Sequence, residues 1–387
     1  MPFQEQSRTQ QRQQMVHQIV QEGLSVSAAA RHFGVTRATV YHWLNRAQET
    51  GPEQAVVARS RRPHRSPRAT GAKLVAQVLA AKAADPAWGG KKLHRRLWPA
   101  DAGVAAPLSV RTVDRILTRH GQTQAQALAR PPLQRFERAL CNELWQMDFK
   151  GMGKPRASYF PLTVLDDHSR FCLCFEPVLT QTQVEVWLQL WRLFGEFGLP
   201  EAILTDNGSC FSGTWSQCPS GLEMQLWRLG IRTVQGRPYH PQTQGKVERF
   251  HRTVDVELAG RGQGLRQPDR EQAKVVYAPV IYSYNWRRPH EALEMRVPGA
   301  VYVPSPRLRP ARLPEHELAE QAIKRKVQGS GEVWYRGQIY RVSKALGGET
   351  LEVREGTDGY AFYYANVPVS ARRASGRAKS HNEPKSV

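Results

Sequence analysis

Three short apolar runs follow one another closely between residues 144 and 175, and they constrain the fold more than any other part of the chain. The runs are Leu144–Phe149, Tyr159–Leu165 and Phe171–Phe175, each of strand length. The segments between them hold Gly, Pro, Asp and Ser, which are typical of turns. Such short connections join antiparallel neighbours, because a parallel pair needs a crossover of about a dozen residues or more. The pattern therefore predicts an antiparallel meander of three strands.

Helical and strand-like segments alternate after this meander and extend the predicted sheet. Ser220 and Glu223 have the spacing of a capping box at the start of one helix. The pattern predicts an α/β core with a mixed five-stranded sheet and flanking helices, which is the order of elements in the RNase H-like fold. The other predicted segments are helices over 183–197 and 244–258 and strands over 201–206 and 231–234.

The first fifty residues have the pattern of a helix-turn-helix domain. Three short helices are predicted between residues 10 and 48, with Ser27 and Thr36 as N-caps of the second and third and Gly34 in the turn between them. The outer face of the third helix is polar and basic, which favours DNA contact over a plain three-helix bundle. The candidate DNA-contacting residues are Arg37, Thr39, Tyr41, His42 and Arg46.

A second helical unit is predicted over residues 71–121. Ser109 is placed to cap its last helix, whose apolar stripe is formed by Val113, Ile116 and Leu117. This unit is interpreted as a second helix-turn-helix, and the alternative is a helical spacer without DNA contact. Its candidate DNA-contacting residues are Arg111, Thr112 and Arg115.

The distribution of charge indicates a polyanionic partner. The chain of 387 residues has a formal net charge of +21, and residues 1–135 account for +14 of it. Lys and Arg bind nucleic acid by neutralising phosphates and releasing counterions. Acidic lipid and RNA also attract basic surfaces, so charge alone does not identify double-stranded DNA.

Cysteine usage and hydropathy indicate a cytosolic protein that does not cross a membrane. The five cysteines form no C-x-x-C pair, and their odd number argues against a disulfide framework. Cys172 and Cys174 lie two apart in a predicted strand, so they are expected to share one face and to pack in the core. No uncharged apolar run reaches the roughly 18 residues of a membrane span.

Three carboxylates lie where packing explains them poorly. Asp148 interrupts an apolar strand, Asp206 ends another strand, and Glu248 lies in the first turns of a helix. Together they are predicted to hold Mg²⁺, with Mn²⁺ as a substitute, since carboxylate oxygens are the ligands that this cation prefers. Two ions about 4 Å apart can activate an attacking hydroxyl and stabilise the leaving oxygen in displacement at phosphorus.

These carboxylates occur within motifs that resemble the DDE-type insertion-sequence transposases of the retroviral-integrase superfamily. The resemblance covers about residues 140–305 and implies that Asp148, Asp206 and Glu248 bind Mg²⁺ and catalyse cleavage at the element end and strand transfer. The interval between Asp206 and Glu248 is longer than is usual in the family, and the surplus is assigned to a loop over 213–219. The matching segments are 144–148, 165–170, 204–208, 238–251 and 284–290.

Other charged residues near these motifs receive different interpretations. Glu257, further along the Glu248 helix, is the competing third carboxylate, but it lacks the Gly-Lys-Val-Glu context. Asp166 and Asp167 are interpreted as turn-capping residues and not as metal ligands. Lys246 and Arg249 are expected to border a DNA groove beside the metals, the alternative being ordinary solvated charges.

After residue 305 the pattern changes to a polar helix over 315–325 and then short strands with Gly turns, which predict a small β-barrel. The chain is interpreted as a homo-oligomeric DNA transposase of the bacterial cytosol; the alternatives are a regulator with an inactive core and a hydrolytic nuclease. The predicted domains are a helix-turn-helix (1–50), a basic linker (51–70), a second helix-turn-helix (71–121), a linker (122–137), the catalytic core (138–305), the β-barrel (306–370) and a disordered basic tail (371–387).

Overall fold

The computed structural model divides the chain into two compact units, Met1–Gly71 and Ala72–Val387. The described residues are 8–51, 69–100, 103, 105–123, 137–153, 158–206, 208, 210–211, 219–235, 245–316, 318, 320–356, 359–369 and 372–373. Most of both predicted linkers, the 213–219 loop apart from Pro219, and the predicted tail apart from residues 372–373 lie outside them.

The first unit contains the three predicted helices, α1 (Arg8–Val20), α2 (Val26–His32) and α3 (Arg37–Thr50). They enclose a small core of Met15, Ala29, Ala30 and Val40. Thr36 caps α3 as predicted. The predicted cap at Ser27 is wrong, because the hydroxyl of Ser25 accepts the hydrogen bond from the Ala28 amide at 3.3 Å and α2 therefore begins two residues earlier.

The second unit begins with three helices, α4 (Ala72–Ala84), α5 (Gly90–Leu97) and α6 (Val110–Arg119). Ser109 caps α6 as predicted, and Val113, Ile116 and Leu117 are buried. Gly90 permits close packing of α5 on α6, since a β-carbon at that position would overlap the carboxylate of Asp114.

The predicted mixed sheet of five strands follows these helices. Its order is β3-β2-β1-β4-β5, with β2 antiparallel to both β1 and β3 and with β4 parallel to both β1 and β5. The prediction of an α/β core with a mixed five-stranded sheet is confirmed, and the first strand along the chain occupies the centre. The strands are β1 (Trp145–Phe149), β2 (Phe160–Asp166), β3 (Cys172–Val178), β4 (Ala202–Thr205) and β5 (Arg232–Gln235).

Helices cover both faces of this sheet. One face packs on α7 (Gln183–Phe197) and α8 (Gly221–Arg228), and the other packs on α9 (Gly245–Gly260) and α10 (Arg270–Trp286). The capping box predicted at α8 is present. The helix α10 was not predicted, because its interior contains Pro279, a residue that usually interrupts a helix.

A β-bulge in β3 overturns one expectation about the cysteines. Val164 pairs with Cys174 and Leu165 pairs with Cys172, so Leu173 is an extra residue on β3. The alternation of side chains therefore breaks, and Cys172 and Cys174 pack on opposite faces of the sheet. Both cysteines are buried, which confirms that they are packing residues.

The C-terminal strands form two small antiparallel sheets over one apolar core, and the described strands do not close into the predicted single barrel. The polar helix predicted over 315–325 is also wrong. Ile323 instead begins a strand, because it pairs with Val353 and packs on the shared core. The strands are β6 (Ile323–Lys326), β7 (Glu332–Tyr335), β8 (Gln338–Arg341), β9 (Thr350–Gly356), β10 (Gly359–Tyr364), β11 (Val367–Val369) and β12 (Arg372–Arg373).

Gly198, which ends α7, should be intolerant of substitution. Its φ is +77°, and a β-carbon would lie 2.5 Å from the carbonyl oxygen of Ser305. We expect Gly198→Ala to destabilise the chain by more than the roughly 1–2 kcal/mol of left-handed backbone strain alone. Gly262→Ala is the matched control, since Gly262 has φ +68° but no described atom within 4 Å of its β-carbon position. Equal shifts of the urea midpoint for the two variants would contradict this prediction.

Candidate active site

The register of the central strands places Asp148 beside Asp206. On β1, Gln146 pairs in parallel with Leu204 of β4. Asp148 lies two residues after Gln146, and Asp206 lies two residues after Leu204. Because the strands are parallel, both aspartates occur at the same carboxyl edge of the sheet, where ligands bind in open α/β sheets.

Local contacts orient the Asp206 side chain. Its Oδ1 accepts a hydrogen bond from the Gly208 amide at 2.9 Å, a short Asx-type turn. A β-carbon at Gly208 would lie 2.9 Å from the same oxygen, so this position favours glycine. Three residues after Gly208, the ring of Phe211 stacks on that of Phe149 of β1, with the ring centroids 5.4 Å apart.

Glu248 is brought to the site by the seating of α9 on the sheet. His251 lies one helical turn after Glu248, and its Nε2 is 2.7 Å from the hydroxyl of Thr163. Thr163 is the residue of β2 that pairs directly with Asp148. A second tie joins the ammonium of Lys150, just after β1, to Asp255 of α9 at 2.9 Å. These contacts fix the helix against the strand that carries Asp148.

The three carboxylates interact electrostatically. Burial, together with the negative charges of Asp206 and Glu248, raises the pKa of Asp148 to about 7, against a backbone hydrogen bond from Phe149 and the charge of Lys150. The effect of Asp206 and Glu248 on the pKa of Asp148 indicates that the three carboxylates lie in the same region of the molecule. Glu248 itself is exposed.

The donor set fits a hard divalent cation. All three side chains supply carboxylate oxygens, and a cation would relieve the repulsion that raises the pKa of Asp148. Among the described residues, no three Asp, Glu, His or Cys side chains lie close enough together to hold a metal ion. Mg²⁺ takes one or two carboxylates and fills its other positions with water and phosphate, so Asp148 and Asp206 alone would be enough to bind it at this edge.

Asp166 caps the turn as predicted, whereas Asp167 has a different structural role. Asp166 is buried and accepts hydrogen bonds from the Asn142 and Ser169 amides and the Ser169 hydroxyl. Asp167 is buried in an ion pair with Lys246 at 2.5 Å. Burial lowers the pKa of Lys246. The Lys246 side chain is thus committed to Asp167 in this structure and does not project into solvent beside the triad.

Glu257 is also occupied elsewhere. Its carboxylate is buried against the guanidinium of Arg288 and accepts a hydrogen bond from the indole of Trp88. It therefore has no part in the site around Asp148, and Glu248 stays the predicted third carboxylate.

The candidate DNA-contacting residues of the first unit differ in their exposure and in the contacts that they make within the unit. Arg37, Tyr41 and His42 are exposed on α3. Thr39 shares a hydrogen bond with the capping hydroxyl of Thr36 at 2.9 Å. The guanidinium of Arg46 is half-buried and lies over the ring of Trp43 at 5.2 Å, so its charge is partly engaged within the unit.

The basic candidate residues of the second helical unit are exposed, unlike the half-buried Arg46. Arg111 and Arg115 are exposed on α6 and Thr112 is half-buried, its hydroxyl 3.0 Å from that of the capping Ser109. Arg249 is exposed on α9 next to Glu248.

No helix among the described residues is both long and apolar enough to span a bilayer.

Thr163, Lys150 and Asp255 were not predicted to support the site, and His251 was assigned no role in it. One signal was available, since His251 is three residues after Glu248 and so lies on a neighbouring position of the helix surface. The residues on or next to β1 and β2 that contact α9 could be identified only from the register of the strands.

Comparison with protein families finds matches in both parts of the chain. Families described as Integrase core domain match residues 140–241 and 229–298. A Homeodomain-like domain family matches residues 39–117, and a Helix-turn-helix domain family matches residues 11–64. The Gag-Pro-Pol polyprotein of Squirrel monkey retrovirus is 34% identical over 148 residues. That match covers 38% of this chain but only 7% of the polyprotein.

Solved structures of integrases are also similar to parts of the chain. The catalytic core of BIV integrase is 25% identical with a TM-score of 0.33, covering 42% of this chain and 93% of its own. The HTLV-2 integrase catalytic core in complex with magnesium is 16% identical with a TM-score of 0.33, covering 42% and 97%. The simian T-cell lymphotropic virus intasome chain is 17% identical with a TM-score of 0.37, covering 70% and 93%.

The buried His251 should make stability depend on pH. Burial, with a smaller effect of Lys150, lowers its pKa from 6.5 to about 3. Between these values the unfolded chain binds a proton that the folded chain does not, so stability falls as pH drops below 6.5, by up to about 1.4 kcal/mol per pH unit. We expect His251→Gln to be less stable near pH 7 but to lose less stability between pH 7 and pH 5, measured by urea unfolding.

Burial lowers the pKa of His290 to about 3 as well, so part of the slope should remain in the His251→Gln variant. His120→Gln, at an exposed position, is the matched control and should behave as the wild type. A His251→Gln variant with the full wild-type slope would refute the assignment of the slope to His251.

Proposed function

We propose that this chain, in which residues 140–241 and 229–298 match families described as Integrase core domain, is a transposase that cleaves the DNA ends of a mobile element and joins them to target DNA. The observation that carries the proposal is the parallel register of β1 and β4, which brings Asp148 and Asp206 to the same edge of the sheet, where the pKa of Asp148 is raised. Perturbed carboxylates clustered at the edge of a sheet are typical of a catalytic site.

Asp148, Asp206 and Glu248 would hold two Mg²⁺ ions, or Mn²⁺ in their place. The ions, when bound, supply the polarisation that makes a water or a 3′ hydroxyl nucleophilic at phosphorus and stabilise the leaving oxygen. The contribution of the chain is to orient the carboxylates. The Gly208 amide directs Asp206, and the Thr163–His251 and Lys150–Asp255 contacts hold α9, the helix that carries Glu248, against the strands at this edge. Preorganised ligands spare the reaction the cost of arranging them.

Recognition of the element ends falls to the helical domains. Double-stranded DNA is their proposed partner, with Arg37, Tyr41 and His42 on α3 and Arg111 and Arg115 on α6 as the exposed candidates. Thr39, Thr112 and Arg46 would contribute at the margins of these faces, and Lys246 and Arg249 beside the triad. An element has two ends and each chain has one carboxylate triad, so we propose a homo-oligomer on DNA. Its location would be the bacterial cytosol, with the chromosome.

Asp206→Asn should separate binding from catalysis. The amide is nearly isosteric but lacks the charge that a divalent cation requires, so end binding should persist while cleavage and joining fall by at least about a hundredfold. The measurement is a strand-transfer assay with DNA from the boundaries of the element, with and without Mg²⁺ or Mn²⁺.

Asp269→Asn is the matched control, since Asp269 is the exposed N-cap of α10 and asparagine is also a good cap. Joining retained in Asp206→Asn would overturn the assignment of the triad. A wild-type chain that binds ends without cutting would indicate a regulator with an inactive core, and one that cuts without joining would indicate a hydrolytic nuclease.

Cation binding should release a proton near neutral pH. Since the pKa of Asp148 is raised to about 7, part of the population is protonated at pH 7, and a carboxyl must ionise to bind a metal. Affinity for Mg²⁺ should therefore weaken up to about tenfold per pH unit below 7 and level off above it. Calorimetric titration in two buffers of different ionisation enthalpy measures both effects. An affinity that does not change between pH 6 and pH 8 would contradict the prediction.

A further inference from the structure

The second helical unit is joined to the catalytic core by a buried polar contact. The indole N–H of Trp88, in the connection between α4 and α5, donates a hydrogen bond of 2.8 Å to Oε1 of Glu257 on α9. The guanidinium of Arg288, just after α10, pairs with the same oxygen. We name this the Trp88–Glu257–Arg288 contact. It connects one residue of the helical unit with two residues of the core.

All three side chains are almost completely removed from water. Trp88 is 0% exposed, Glu257 4% and Arg288 8%. Burying an ion pair gains little stability compared with an apolar contact, because both charges lose their hydration. Such a contact does, however, define one geometry, since a shifted arrangement would leave a buried charge without its partner. In this chain the contact fixes the position of the second helical unit relative to the catalytic core.

Further contacts extend the same interface. Asp85, which ends α4, is buried and pairs with Arg96 of α5, and the guanidinium of Arg287 lies 3.7 Å from its carboxylate. A β-carbon on Gly260, the last residue of α9, would lie 3.6 Å from the amide nitrogen of Ala87, so the two backbones are close. At the exposed rim, Lys91 pairs with Glu291 at 3.4 Å.

The interface joins the two elements whose relative position would matter most. Glu257 is on α9, the helix that also carries Glu248. On the other side, α6 presents Arg111, Arg115 and Arg119, which are exposed, at helical spacing on one face, and without an ion pair to any described residue. The basic face of α6 is therefore open while the connection between α4 and α5 is attached to the core.

We propose that Trp88, Glu257 and Arg288 are positioning residues, which set the distance between the DNA segment bound by α6 and the phosphodiester presented to the carboxylate triad. This inference rests on the proposed function and deepens it. Because α9 is anchored at both ends, by His251 near Glu248 and by Glu257 near its last turns, the helix transmits the position of the helical unit to the catalytic edge. A displacement of about 1 Å at a reacting centre can reduce rate by about a hundredfold.

Two conservative variants test the proposal in the full-length chain. Trp88→Phe keeps an aromatic ring but removes the N–H donor, and Glu257→Gln keeps an acceptor but removes the charge that pairs with Arg288. Lys91→Ala is the matched control, since it removes an ion pair of the same interface at its exposed rim. The probe is duplex DNA from the element boundary, and the readout is the position of each cleaved phosphodiester at nucleotide resolution, beside the affinity for that duplex.

We expect both variants to bind the duplex with wild-type affinity, to cut the wild-type phosphodiester about tenfold more slowly or worse, and to cut neighbouring positions as well. The Lys91→Ala control should cut only at the wild-type position. A merely structural role would lower the yield without moving the cut. Variants that cut more slowly but only at the wild-type phosphodiester would therefore overturn the proposal.

Amide hydrogen exchange without DNA separates this inference from the proposed function. In Glu257→Gln, residues 85–90 and 257–260 should lose protection together, while β1 and β4 keep theirs. Unchanged protection at both segments would overturn the interface as a positioning contact. A wild-type chain that neither cuts nor joins DNA would overturn the proposed function, and the positioning role with it, even where the exchange result is as expected.

Discussion

The parallel pairing of β1 with β4 is the interaction on which the site depends. It places Asp148 and Asp206 at the same edge of the sheet, where their like charges oppose each other. Fold stability alone would not select this arrangement, because a half-buried carboxyl with two acidic neighbours favours the protonated form. The sheet therefore holds a region of negative potential that a divalent cation would neutralise, and the surrounding contacts serve to keep it in place.

Support for this edge comes from three directions. The Gly208 amide holds Asp206 from the loop, Thr163 of the neighbouring strand holds His251, and Lys150 holds Asp255. The last two contacts act on α9, which carries Glu248 near its start and Glu257 near its end. One helix thus links the carboxylate triad with the second helical unit, and the chain from Ala72 onward contains both within one compact unit.

Sequence reasoning predicted the sheet and its three acidic positions because short turns force antiparallel neighbours and because a carboxylate inside an apolar strand is costly. It failed where a local signal was overridden by tertiary contacts. The helix α10 was not predicted because it contains Pro279. The segment predicted as a polar helix includes a strand, in which Ile323 pairs with Val353. Lys246, predicted to border a DNA groove, forms an ion pair with the buried Asp167. None of these partners is adjacent in sequence, so periodicity could not reveal them.

The bulge at Leu173 has a chemical consequence for the two thiols beside it. Since Cys172 and Cys174 extend from opposite sides of the sheet, their sulfur atoms are separated by the backbone layer itself. A disulfide requires β-carbons about 3.5–4.5 Å apart and directed toward each other. An oxidant could not couple this pair without disrupting β3 and its pairing with β2, and burial raises the pKa of both thiols, which keeps them in the unreactive form.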